Sequence, residues 1–282
     1  MIREYWSGSD ITFWCLVDKK RTEYFKKAIY KTIRWGDIVI DAGTGSGIMA
    51  LFAVKAGAKR VYAIESDSNL WGILEDNFKK SGYSDRIVLI KGDARKATIP
   101  EKADVIICEM VATGLIDEIQ VSAMNNLINY LKPGGKILID RIRNFVELVY
   151  NSDKFYYHKM RIVRYEYIWH PELKSNIYTK KYMYKEVAFN KKNNRKIDVI
   201  IPIKIFKTGR INGIRISNET IFANGARLRN SEAYCIPLIL PIKEQKVKKG
   251  DKFLLMLSYE MCAGLKNLYY IIKRLKKIDT VY

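Results

Sequence analysis

Apolar residues fall at helical spacing between Lys19 and Arg34, where Tyr24, Phe25, Ala28, Ile29 and Ile33 share one face. From there the pattern alternates. A short apolar run, Ile38 to Ile40, predicts a buried strand. Ile48, Leu51, Phe52 and Ala56 predict a helix that Gly57 stops, and Val61 to Ile64 predicts a second strand ending in Glu65. Asn69 to Lys80 follows as a helix, with Leu70, Trp71, Ile73, Leu74 and Phe78 apolar and Ser81-Gly82 closing it. Ile87 to Ile90, Asp104 to Cys108 and Lys136 to Asp140 complete five strands, with a helix predicted over Leu115 to Leu131 and a turn at Lys132 to Gly135. Strands alternating with helices predict an α/β fold, a doubly wound parallel sheet with right-handed crossovers.

Both ends depart from this pattern. Residues 1–17 are aromatic without a period and are expected to pack near a ligand mouth. After about residue 141 the runs at 145–150, 196–206 and 252–260 are β-like and separated by polar breaks, predicting a β-rich barrel or sandwich. Leu268 to Ile278 fits either a last strand or a basic amphipathic helix. The expected organisation is an N-terminal cap over 1–35, a ligand-binding α/β domain over 36–141 and a basic β-rich domain over 142–282.

Composition narrows the class. No apolar run reaches bilayer length, and the ITFWCLV stretch is short and flanked by charge, which argues against a secretory signal. Cys15, Cys108, Cys235 and Cys262 form no C-x-x-C and lie near no histidine pair, so no metal site and no disulfide framework is expected, and a cytoplasmic location is. The formal net charge of +20 is unevenly placed. Residues 1–150 carry 22 Lys+Arg against 19 Asp+Glu, net +3, and the remainder carries 28 against 11, net +17. A lysine-rich solvated surface explains this as well as an anionic partner such as nucleic acid does.

The chemistry concentrates between Asp37 and Asp67. Gly43, Gly45 and Gly47 would let the backbone bend sharply and approach a ligand that any Cβ would push away. Glu65, at the carboxyl end of the second strand, could accept both hydroxyls of a ribose. The spacing is G-x-G-x-G, and Ile48 stands where a dinucleotide fingerprint would place its third glycine. Asp41, just before the bend, suits an ammonium or sulfonium better than a pyrophosphate. S-adenosylmethionine is therefore the leading ligand, with a nicotinamide or flavin coenzyme, or a plain structural turn, as alternatives. Asp93, past the third strand, is placed either to accept an adenine amine or to serve as a turn aspartate.

With those residues in view, the chain resembles the protein arginine methyltransferases. GTGSGIMALFAVKAGAKRVYAIE is similar to their cofactor motif, and CEMVATGLIDE (108–118) places Glu109 and Glu118 at the spacing of their paired-glutamate loop. Arg21-Thr22 resembles the family's Arg-Thr pair, whose arginine grips the donor's carboxylate. The resemblance implies methyl transfer to a guanidinium or amine nitrogen, with Glu109 and Glu118 binding the acceptor's N–H fork and freeing its near lone pair. For Glu118 an ordinary solvated acid at a helix start competes with that role. Three departures stand out: Glu232-Ala233-Tyr234 replaces a Thr-His-Trp segment, Met110 replaces an aromatic residue, and the stretch from Glu118 to residue 232 is short for the family. The resemblance implies a homodimer, and the short stretch implies that the family's dimerisation arm is reduced or missing. The acceptor expected is a protein, with RNA held by the basic half as the alternative. The missing histidine leaves a third reading, a homologue that binds the donor without turnover.

Overall fold

The computed structural model describes residues 9–275. Helix α1 spans Ser9–Val17 and α2 spans Lys19–Thr32. Asp18 caps α2, its Oδ1 accepting the Arg21 N–H at 3.0 Å. The first sheet contains β1 (Ile38–Ala42), β2 (Arg60–Glu65), β3 (Ile87–Lys91), β4 (Ala103–Cys108) and β5 (Leu131–Ile137), all parallel, in the order β3-β2-β1-β4-β5. α3 (Ile48–Lys55), α4 (Ser68–Lys80) and α5 (Gln120–Leu127) complete the α/β half. All five residues of β1 are buried, as a strand covered on both faces must be. Ala42 pairs with Ile64 on one side and Cys108 on the other. That register sets the ends of β1, β2 and β4 level, so Gly43, Glu65 and Glu109 emerge along one edge.

A long strand, β6 (Ile139–Tyr150), carries the chain into the second half, and the expected boundary at 141/142 falls inside it. β6 pairs antiparallel with β7 (Tyr182–Ala188) and β9 (Gly209–Phe222), and β9 with β10 (Leu238–Val247). β8 (Lys196–Lys204), β11 (Lys252–Glu260) and β12 (Tyr269–Arg274) form a separate three-stranded antiparallel sheet. One buried apolar cluster runs through both halves. At their junction the Phe25 ring of α2 meets Phe222 of β9 edge-on, with centroids 5.0 Å apart.

The α/β class and the β-rich second half follow the sequence reading, and some local elements do not. The aromatic stretch, which shows no period in sequence, is helical over Ser9–Val17, while residues 1–8 lie outside the described part. The helix predicted over Leu115 to Leu131 begins only at Gln120, and Lys132 to Gly135 lies within β5 instead of forming a separate turn. The segment Leu268 to Ile278 resolves as a strand over Tyr269–Arg274; its residues from 276 on are not described. Among the described residues no helix is long and apolar enough to cross a membrane.

Candidate active site

The glycine bend is built by left-handed backbone. Gly43, Gly45 and Gly47 have φ of 69°, 54° and 80°, a region that side-chain-bearing residues enter at a cost. Two of the three are also crowded. A Cβ on Gly43 would lie 2.8 Å from Met110 Cγ, and one on Gly47 would lie 2.7 Å from Phe78 Cε1. Met110 thus packs directly on the bend.

Asp41 is buried beneath it and accepts the Thr44 hydroxyl at 2.6 Å. Burial pushes its carboxyl up to about 6, against the help of the Thr44 hydrogen bond. Glu65 is buried too, and both its oxygens are held: Oε2 accepts the Gly45 N–H and Oε1 the Asp67 N–H, each at 2.9 Å. Two backbone donors leave that carboxylate with one orientation and with lone pairs to spare.

Asp93 accepts the Arg95 backbone N–H at 2.8 Å and its side-chain Nε at 2.9 Å. Burial works against its charge, but Arg95 holds its carboxyl below the usual range. Arg21 is buried, donating through Nη1 to the Cys15 carbonyl at 3.0 Å and through Nη2 to Glu109 Oε2. Its Nε–H is buried without an acceptor. Glu118 is half-buried, and burial followed by the nearby Glu109 charge pushes its carboxyl up to about 8.

These residues enclose a single cavity of about 710 Å³, within the range of small-molecule sites at roughly 300–1,000 Å³. Arg21, Gly43, Gly45, Glu65, Asp93, Glu109 and Glu118 line it, while Asp41 and Gly47 support it from the buried layer behind. The other wall comes from α1, through Ile11, Thr12, Cys15 and Leu16. Periodicity gave no sign of α1, because SDITFWCLV is apolar nearly all round. Ala233 also lines the cavity, and its backbone N–H donates to Asp18 Oδ2 at 2.9 Å. Among the described residues no group of three or more His, Cys, Asp or Glu is placed to hold a metal ion.

The loop between the two acids is fastened to the second half. Asn218 of β9 accepts the Gly114 N–H at 2.8 Å, and Tyr259 of β11 donates to the Gly114 carbonyl at 2.7 Å. The Thr113 hydroxyl donates to the Ile236 carbonyl at 2.6 Å. None of these pairs is close in sequence, so no local pattern could have revealed them.

S-adenosylmethionine fits this donor set. The cradle of left-handed glycines admits close backbone approach, the buried Arg21 Nε–H lacks an acceptor that a carboxylate could supply, and Glu65 presents a fixed carboxylate to a diol.

Comparison with known proteins gives the same neighbourhood. The family described as ribosomal protein L11 methyltransferase (PrmA) matches residues 20–145. The uncharacterized protein MJ1452 of Methanocaldococcus jannaschii is 33% identical over 255 residues, covering 90% of this chain and 93% of that one. A probable protein arginine N-methyltransferase 6 of Arabidopsis thaliana is 33% identical over 49% of this chain, and the ribosomal protein arginine N-methyltransferase rmt3 of Schizosaccharomyces pombe 35% over 47%. The matches span only 32% and 25% of those two proteins. In three dimensions the PRMT1 enzyme-prozyme heterotetrameric complex of Trypanosoma brucei with AdoHcy superposes with a TM-score of 0.72 at 16% identity, over 95% of this chain and 99% of that one.

Proposed function

The chain belongs to one family with MJ1452 and is a class I S-adenosylmethionine-dependent methyltransferase resembling the protein arginine methyltransferases, and we propose that it methylates a guanidinium or amine nitrogen of a protein. The observation that carries this reading is that Glu109 and Glu118 face the same cavity as the glycine bend and Glu65. S-adenosylmethionine supplies, when bound, a methyl group already activated on a sulfonium. The protein's own task is then to hold an acceptor lone pair in line and to disperse charge.

Arg21 would bind the donor's carboxylate. The backbone at Gly43 and Gly45 would hold its amino-acid portion, with Asp41 and Gly47 shaping that bend from the layer behind; Glu65 would hold its ribose and Asp93 its adenine. Asp93 shares its carboxylate with Arg95, so its contact with adenine would be made beside that ion pair. Arg21 ties the donor's place to the acceptor's, because the same guanidinium holds Glu109. Glu109 is thereby oriented. Glu118, holding a proton at neutral pH, would give it up when a cationic acceptor arrives. The two carboxylates would then grip the acceptor's N–H donors on two sides.

The net charge of +17 beyond residue 150 favours a second reading, RNA as acceptor, and the place of Ala233 a third, donor binding without transfer. Large apolar side chains on α1 and between residues 156 and 169 face solvent, among them Phe13, Trp14, Tyr156, Tyr157, Ile162 and Trp169, and we infer from them a homodimer. Incubating the protein with tritiated S-adenosylmethionine and cell extract separates the acceptor readings. Label removed by protease and resistant to nuclease is expected. Label removed by nuclease would make the acceptor RNA, and no label in any fraction would leave only donor binding.

A further inference from the structure

We propose that Gln120 is a positioning residue that brackets Glu109 and sets its separation from Glu118. This rests on the role given to the two acids above. Gln120 is the first residue of α5 and is fully buried. Its Oε1 accepts the Met110 backbone N–H at 2.9 Å, and its Nε2 donates to the Cys108 carbonyl at 3.0 Å. Those are the main-chain groups immediately before and after Glu109. One planar amide thus closes on both flanks of the residue, at the point where the pairing of β4 with β1 ends at Cys108.

A primary amide offers a donor and an acceptor on one plane for this purpose at any pH near neutrality. An ionised carboxylate would lose the donor and set a further negative charge beside Glu109. A thioether would leave a buried carbonyl and a buried N–H unpaired. The bracket also spans the site. Gln120 lies two residues beyond Glu118, so the amide joins the strand end next to Glu109 to the bend ahead of α5 that carries Glu118. The Glu109 carboxylate is held by the Arg21 guanidinium, and the backbone contact it makes, from the Val111 N–H, is long at 3.3 Å. A planar acceptor held between two carboxylates needs their spacing kept within roughly 0.5 Å, and a misplacement of about 1 Å is enough to cost ~10²-fold. A buried amide could serve packing alone. Its placement around Glu109 is what gives it a further consequence.

Two readouts test this on the full chain. In Gln120→Met, transfer of tritium from S-adenosylmethionine to extract protein is expected to fall by about 10²-fold. Calorimetric affinity for S-adenosylhomocysteine should stay within about twofold. Carbon-13 NMR of the Glu118 carboxyl, which should titrate near 8 in the parent protein, should show the midpoint lowered as Glu109 loosens, with burial still holding it above 4.5. Gln120→Glu keeps the shape, serves if the methionine variant does not fold, and should also lose transfer. Parent-level transfer with an unmoved midpoint in either folded variant would overturn the bracket. Parent-level transfer in Glu109→Gln would instead remove the reading beneath it, so the two failures are distinguishable.

Discussion

Glu65, buried, and Glu109, half-buried, are both carboxylates at strand ends, but their surroundings assign them different work. Glu65 is held by two backbone N–H groups and faces the glycine bend; Glu109 is held by a guanidinium. Glu65→Ala is therefore expected to weaken S-adenosylhomocysteine binding by about 10-fold or more, the loss of charge-assisted hydrogen bonds worth roughly 1.5–3 kcal/mol. Glu109→Gln should leave that affinity within about threefold and lower transfer by ~10²-fold or more, which calorimetry and tritium transfer read separately. Glu118 adds a pH dependence. Its carboxyl is raised in the folded chain from 4.5 to about 8, so the fold favours its neutral form. That contribution to stability is complete below pH 4.5 and is lost as pH rises through about 8. Thermal melts of the ligand-free protein should drop over that window, and Glu118→Gln should flatten the drop. Because kcat/KM reports the free enzyme, it should rise with pH to a plateau above about 8 in the parent protein only.

The elements that sequence made legible are those whose signals are local. The strand–bend–helix–strand unit from Ile38 to Glu65 carries its own glycines, its helix stop and its acid within one short stretch, so Gly43, Gly45 and Glu65 reach the cavity wall while Asp41 and Gly47 support it from behind. The helix expected from Leu115 fails for a non-local reason. Gly114 and Leu115 take φ of 68° and 56°, and the loop is held there by Asn218 and Tyr259 from strands more than a hundred residues away. The last strand was ambiguous because its partner, β11, decides it. The pairing of Arg21 with Glu109 joins residues 88 apart and was equally hidden. Tyr259→Phe removes one of the loop's fastenings at Gly114. It should lower transfer several-fold and leave S-adenosylhomocysteine affinity unchanged, because the glycine bend does not depend on that contact. A matching fall in both would show that the loop and the bend move together.

At the scale of the molecule, an α/β half with net charge +3 over residues 1–150 is fused to a strongly basic β half through the unbroken strand β6. The shared apolar cluster makes their relative placement a property of the core, so the acid loop can be anchored on one half and used on the other. Exposed aromatic and aliphatic side chains on α1 and on the 156–169 stretch predict a dimer in solution. Sedimentation should give twice the chain mass of 32.8 kDa, falling to the monomer in a Trp14→Glu variant. The most direct measurement of the central claim is a calorimetric titration of the protein with S-adenosylhomocysteine and, separately, with a nicotinamide coenzyme. One-to-one uptake of the first, lost in Glu65→Ala, with no heat from the second, is the predicted result. Tight uptake of the nicotinamide coenzyme and no heat with S-adenosylhomocysteine would contradict it.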